Sequence, residues 1–242
     1  MSMLASSPSA PLSLLQIEAR FKNRIWRGDP SGSSSDPSGS SADPVVSSGF
    51  SELDKALPGG GWPVHNLTEL LLPAEGLGEI RLLGRPLEQI TGDGRNILLV
   101  GPPYIPYMHA WENLHIDSRR IVIARVDKPA ERLWVLEQGI KSAAFGAVIG
   151  WLPESSLQTT RRLQVIARTV ASLVFLFRPV SAQFESSAAP LRIWLGPVAQ
   201  HTLSVRLLKR RGAPTVLPIY IVLPQIKPFS SSAVSGSALV HC

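Results

Sequence analysis

The sequence predicts an α/β fold in which a mostly parallel central sheet is flanked by helices and closed by C-terminal antiparallel strands. Three observations predict it. Runs such as Leu67–Leu72 and Asn96–Val100 are apolar almost throughout, as strands buried on both faces must be. Segments with apolar residues at helical spacing separate those runs, which gives the strand–helix alternation of a parallel sheet. Beyond residue 171 the helical spacing stops, and Leu191–Gly196, Leu203–Leu208 and Val216–Leu223 follow as strands, the last two around a turn at Arg211–Pro214.

The organising stretch is Gly59–Glu79, GGGWPVHNLTELLLPAEGLGE. It reads as a glycine turn, a strand at Leu67–Leu72, a tight loop at Pro73–Leu77 and the start of a helix. That is the order of a phosphate-binding loop, Gly-x4-Gly-Lys-Ser/Thr. Laid over this chain, the template puts Pro73 on its first glycine, Gly78 on its second, Glu79 on the lysine and Ile80 on the hydroxyl residue, with Gly76 between. A phosphate loop needs a cation for the β- and γ-phosphates and a hydroxyl for magnesium. An acid and a hydrocarbon stand there instead. Glu79 in the first helical turn meets the positive end of the helix dipole, where a phosphate would lie. The loop is therefore degenerate, and no nucleotide, metal or other cofactor is expected.

The other elements follow in order. Ser48 or Ser51 caps a short helix whose apolar trio is Phe50, Leu53 and Leu57, stopped by Gly59–Gly61. Leu77–Ile90 reads as one helix with Ile80, Leu83, Leu87 and Ile90 on a face. Tyr107–Leu114 is a short helix and Ile121–Val126 a strand. Ala130–Ser142 is a helix with Leu133, Leu136 and Ile140 inward, and Ala147–Leu152 is a strand. Ser155–Ala171 is a helix with Leu163, Ile166 and Val170 inward, and Ser172–Phe177 is a strand.

Composition bounds the rest. The 242 residues suffice for one sizeable domain with appendages, and no run of 18 apolar residues predicts a membrane span. The first residues carry no basic region ahead of their apolar ones, which argues against a secretory leader. The single cysteine, Cys242, excludes a disulfide framework, so the expected home is the cytoplasm. The net charge is +6, of which residues 49–224 carry +5 with 19 basic against 14 acidic side chains. That balance permits contact with nucleic acid or an acidic protein without requiring either.

The expected organisation is an N-terminal helix within residues 1–27, a flexible linker over 28–47, a core over 48–224 and a disordered tail over 225–242. Leu14, Ile17, Phe21 and Ile25 make one apolar stripe on the first helix, a face for the core or for a protein partner. The linker repeats DPSGSS and has almost no hydrophobe, so it cannot bury enough surface to fold. Its reach is on the order of 20 Å.

The blocks LDKALPGGGW, LTELLL, GLGEIRLL, VGPPYIPY, RLWVLEQGIKS, GAVIGWL, RRLQVIAR, LFRP and LKRRG resemble the bacterial ImuA family over roughly residues 48–212. That family is similar to RecA and to the division inhibitor SulA. The resemblance implies a RecA-like core and an SOS-induced accessory role in DNA damage, repair and mutagenic translesion synthesis. The implied partners are an ImuB-like polymerase homologue and an error-prone polymerase III-type alpha subunit, with RecA and DNA as further candidates. The alternative is a SulA-like division inhibitor that binds FtsZ. A residual ATPase of the RecA kind is the third reading.

The residues argue against that third reading, and no catalytic residue is assigned. RecA-type hydrolysis needs a carboxylate after the strand following the loop helix, and that strand runs NILLVGPPY. It also needs an aspartate ending a later strand, where AVIGWLPE offers Trp151, with Glu154 beyond. Arg206, Lys209, Arg210 and Arg211 form a basic cluster at a strand end, a candidate for DNA phosphates or an acidic partner. The alternative for them is a solvated hairpin tip. Gly101–Tyr107, GPPYIPY, is stiff and aromatic at the carboxyl end of a strand, either a protein contact or a loop packed on the sheet rim. Trp134, Trp151 and Trp194 read as core. The five histidines show no metal-ligand spacing.

Overall fold

The computed structural model describes residues 44–212 and 217–226. The expected N-terminal helix with Leu14, Ile17, Phe21 and Ile25, the repetitive part of the linker, and the tail from 227 onward lie outside the described residues. Ten strands and six α-helices are described, with three short 3-10 turns. In chain order they are β1 (Val45–Val46), α1 (Ser51–Ala56), β2 (Trp62–Pro63), β3 (Leu67–Leu72), α2 (Glu79–Leu82), α3 (Gly84–Gly92), β4 (Asn96–Val100) and α4 (Met108–Glu112). There follow β5 (Ile121–Ala124), α5 (Pro129–Lys141), β6 (Phe145–Trp151), α6 (Leu157–Ala167), β7 (Leu173–Pro179), β8 (Leu191–Ala199), β9 (Thr202–Lys209) and β10 (Ile219–Val222).

Eight strands form one sheet in the order β10-β9-β8-β3-β7-β6-β4-β5. Every pairing from β8 to β5 is parallel, and β9 and β10 close the sheet antiparallel. The strand before the Pro73–Gly78 loop, β3, is central, between β7 and β8. All six of its residues are buried, Thr68 and Glu69 included, so the strand is covered on both faces.

The pleat of each strand divides the core into two layers. One joins Leu70, Leu72, Ile97, Leu99, Ile149 and Phe175 to Leu53 of α1 and Leu57 just after it, to Leu82, Leu83, Leu87 and Ile90, and to Trp111 of α4. Trp62 lies fully buried there, its ring edge-on to Phe175 at 5.3 Å between centroids. The other layer joins Leu67, Leu98, Val148, Val174 and Leu176 to Leu136 and Ile140 of α5 and to Leu163 and Ala167 of α6.

Four details differ from the expected pattern. The helix expected over 77–90 is two helices, broken at Leu83 (φ −93°, ψ 3°). Pro86 has no N–H for the Leu82 carbonyl, so the ladder cannot run through; the Leu87 N–H restarts it on Leu83 O at 3.1 Å. Neither Ser48 nor Ser51 caps α1 with its side chain. Asp54 works from inside the helix instead, accepting from Ser47 Oγ at 2.6 Å and from the Ser48 N–H at 2.8 Å. Val45 and Val46 pair with Pro63 and Trp62, so ordered pairing begins three residues before the expected boundary at 48. Trp134 is 61% exposed and is not core. It lies between the inward positions Leu133 and Leu136 of α5, and the helical turn carries it outward.

Candidate functional site at the carboxyl ends of the parallel strands

Because six strands are parallel, the segments that follow β3, β4, β5, β6 and β7 gather along one edge of the sheet. Doubly wound sheets place their ligands at this edge.

The loop after β3 turns through left-handed backbone at Gly76 (φ 80°) and Gly78 (φ 99°), which aims successive N–H groups into one concavity. Glu79 fills it. The Gly76 N–H donates to Glu79 Oε1 at 3.1 Å, and the Gly78 N–H donates to Oε2 at 3.0 Å. The carboxylate is 5% exposed. The acid at the template's lysine position thus folds back and takes amide donors that would otherwise face an anion. Ile80, at the hydroxyl position, borders a cavity with Ala110, Trp111, Leu114 and Ile226 on its apolar side and Glu79 and Arg81 on its polar side.

The residues just before β9 and just after β10 close over this loop. Arg81 donates from Nη1 to Pro224 O at 3.3 Å and meets His201 Nδ1 at 3.2 Å. Burial pushes the Arg81 guanidinium below its ordinary value, and the neighbouring Glu79 carboxylate opposes that shift. A Cβ at Gly78 would stand 2.6 Å from Arg81 Nη2 and 2.7 Å from Leu223 Cδ1. Even a methyl group has no room beside the loop on that side.

Beneath the same edge lies a buried ion network that the sequence reading did not single out. Glu69 on β3, fully buried, accepts from Arg192 Nε on β8 at 2.7 Å and from Arg178 Nη1 on β7 at 3.5 Å. Arg178 Nη2 reaches Glu185 at 2.6 Å and Ser155 O at 3.2 Å. Arg192 also donates to Glu185 O at 3.1 Å and Ala182 O at 2.6 Å. The register explains the meeting, since Glu69 lies directly opposite Arg192. A signal existed in the sequence: LTELLL, LVFLFRP and LRIWLG each carry one charge inside an apolar strand. A charge in such a strand needs a partner of opposite sign.

Arg132 of α5 ties three strand ends together. Its Nε donates to Val126 O at 3.1 Å and its Nη1 to Trp151 O at 3.0 Å. It lies against Gly101, where a Cβ would stand 2.4 Å from Nε. The segment leaving Gly101 is held at its base and exposed at its tip. Tyr104, Ile105 and Tyr107 are 66%, 73% and 56% exposed, so GPPYIPY is not packed on the rim.

The basic cluster is divided where β9 ends, between Lys209 and Arg210. Ile193 pairs with Leu207 and Arg192 with Lys209, so Leu208 is an extra residue on β9. The bulge returns Lys209 to the face that carries Arg206. Arg206 lies over the Trp194 ring at 5.5 Å, and Lys209 Nζ donates to Ser187 O at 2.9 Å. Arg210 turns to the other side and binds the Ala56 carbonyl at the end of α1. Arg206, Lys209 and Arg211 are exposed. The four cations do not share one surface.

No family model matches the chain, and no curated protein matches it either. Among the described residues, no group of three or more His, Cys, Asp or Glu could hold a metal ion. Among them, no helix is long and apolar enough to cross a membrane.

Proposed function

We propose that this chain is a non-catalytic accessory protein of mutagenic translesion synthesis, an adaptor of the ImuA kind on a RecA-like core. The observation that carries the reading is the Glu79 carboxylate seated on the Gly76 and Gly78 amides. A loop whose donors are satisfied by its own acid offers a triphosphate only repulsion. The layout of parallel strands closed by antiparallel ones supports the RecA-like part, as does the central place of the strand before the loop. The block resemblance over residues 48–212 supports the family. The exposed aromatic tip at Tyr104–Tyr107 supports recognition of another protein, because aromatic side chains are the residues that protein interfaces favour.

Two measurements test this. Calorimetry with ATP and magnesium is expected to show no saturable heat; a micromolar affinity refutes the non-catalytic part. Co-purification of the full chain is expected to retain an ImuB-like polymerase homologue and to leave FtsZ behind. Capture of FtsZ alone assigns the chain to the division inhibitors instead.

A further inference from the structure

β10 is the last strand on the antiparallel side of the sheet, and among the described residues no strand lies beyond it. Its pairing with β9 fixes which main-chain groups are used. The Leu223 N–H, one residue past the strand, donates to His201 O at 2.7 Å. The register sets Ile221 opposite Leu203 and Tyr220 opposite Ser204. Opposite residues of an antiparallel pair alternate between exchanging both hydrogen bonds and exchanging none. Leu223, Ile221 and Ile219 therefore turn their N–H and C=O groups toward β9. Tyr220 and Val222 turn theirs outward, which leaves two donors and two acceptors along an open edge.

The side chains sort the same way. Ile219 and Ile221 pack into the layer that holds α1. Tyr220 and Val222 stand on the other face, 61% and 72% exposed, and Leu217 ahead of the strand is 76% exposed. Natural proteins blunt an edge strand with a charge, a proline or a bulge. β10, Ile-Tyr-Ile-Val, has no charge and no proline, and its register with β9 runs without a shift. An edge whose outward-turned residues are also its exposed apolar ones is a template for one more strand.

Charge selects the occupant. From 186 through 226 the sequence has no Asp or Glu. The elements around the edge carry six cations: Arg206 and Lys209 on β9, Arg210 and Arg211 after it, Lys55 on α1, which packs on β10, and Arg81, bound to Pro224 O. Three carboxylates oppose them, Glu52 and Asp54 on α1 and Glu79 on α2. Asp54 already accepts from Ser47 and Ser48, and Glu79 from its loop amides. A second copy joined edge to edge brings two such surpluses together and is repelled. A strand that carries acids is attracted.

We propose that β10 takes up an extended acidic segment of another protein as a ninth strand. The main chain of Tyr220 and Val222 holds it, apolar side chains at alternate positions lie beside theirs, and carboxylates at its ends meet the surrounding cations. The edge is far in strand order from the Tyr104–Tyr107 tip, which follows β4, and the proposal does not rest on the adaptor reading.

Amide hydrogen exchange of the full chain, labelled with nitrogen-15 and followed by NMR, tests it. In the free chain the Tyr220 and Val222 amides are expected to exchange at least about tenfold faster than those of Ile221 and Leu223. The probe is the blocked octapeptide Asp-Glu-Val-Thr-Val-Thr-Glu-Asp. It is expected to slow the Tyr220 and Val222 amides saturably, by about tenfold or more. The same peptide with lysine at its four acidic positions is expected to leave them unprotected. In an antiparallel addition the valines lie opposite Tyr220 and Val222, so N-methylation of both valines is expected to abolish the protection and N-methylation of both threonines to leave it. The proposal is overturned if the acidic peptide protects neither amide, if the lysine peptide protects them as well, or if both methylated peptides still protect them. Protection already present in the free chain also overturns it: protection lost on dilution assigns the edge to a second copy, and protection that survives dilution assigns it to another segment of this chain.

Discussion

Replacing Glu69 with Ala is expected to lower the stability of the fold by about 3–5 kcal/mol, the usual cost of removing one partner of a buried ion pair. The change leaves Arg178 and Arg192 buried with only Glu185, which is half in water, as a counter-charge. Neither guanidinium can shed its proton, so neither escapes by neutralising. Urea denaturation followed by tryptophan fluorescence measures the loss. The companion variant Glu69→Leu/Arg178→Met/Arg192→Leu is expected to be neutral or more stable than the parent, because it removes the charges together. Two equally unstable variants would show that these side chains matter here for shape and not for charge.

The second large effect concerns binding. Changing Tyr104, Ile105 and Tyr107 together to Ala is expected to weaken capture of the proposed ImuB-like partner by about a hundredfold or more, since a single buried aromatic anchor at an interface is worth about 2 kcal/mol or more. The same change is expected to shift folding stability by no more than about 0.5 kcal/mol, because these side chains already stand in water. The base of the loop is unaffected: Arg132 holds Val126 and Trp151 through their main-chain oxygens. Surface-immobilised chain with the partner in solution gives the affinity, and thermal unfolding gives the control. An unchanged affinity would remove this tip from the interface and leave the apolar stripe Leu14, Ile17, Phe21 and Ile25 as the surface to examine.

Much of the layer order was legible because it depends on local pattern. The strands at 67–72 and 96–100 coincide with the runs read as buried, and their ends are set by glycine and proline. The helix over 77–90 misled because its apolar face is continuous through Leu83 and Leu87, and that continuity outweighed Pro86. Trp134 misled because its size suggested burial, while its phase on α5 put it outside. The loop chemistry was legible in part. The acid at 79 and the hydrocarbon at 80 could be seen in the pattern, but the return of the Glu79 carboxylate onto Gly76 and Gly78 depends on backbone angles that a pattern does not carry.

The sequence by itself determined the alternation of strands and helices, the closing antiparallel strands and the acid that stands at position 79 in the loop, because each is written in neighbours a few residues apart. Only the tertiary structure decided that Glu69 meets Arg178 and Arg192, and that Arg206 and Lys209 share a face that Arg210 leaves. The first three lie on different strands. Register between strands is set by packing across the whole sheet, and no local stretch of chain encodes it.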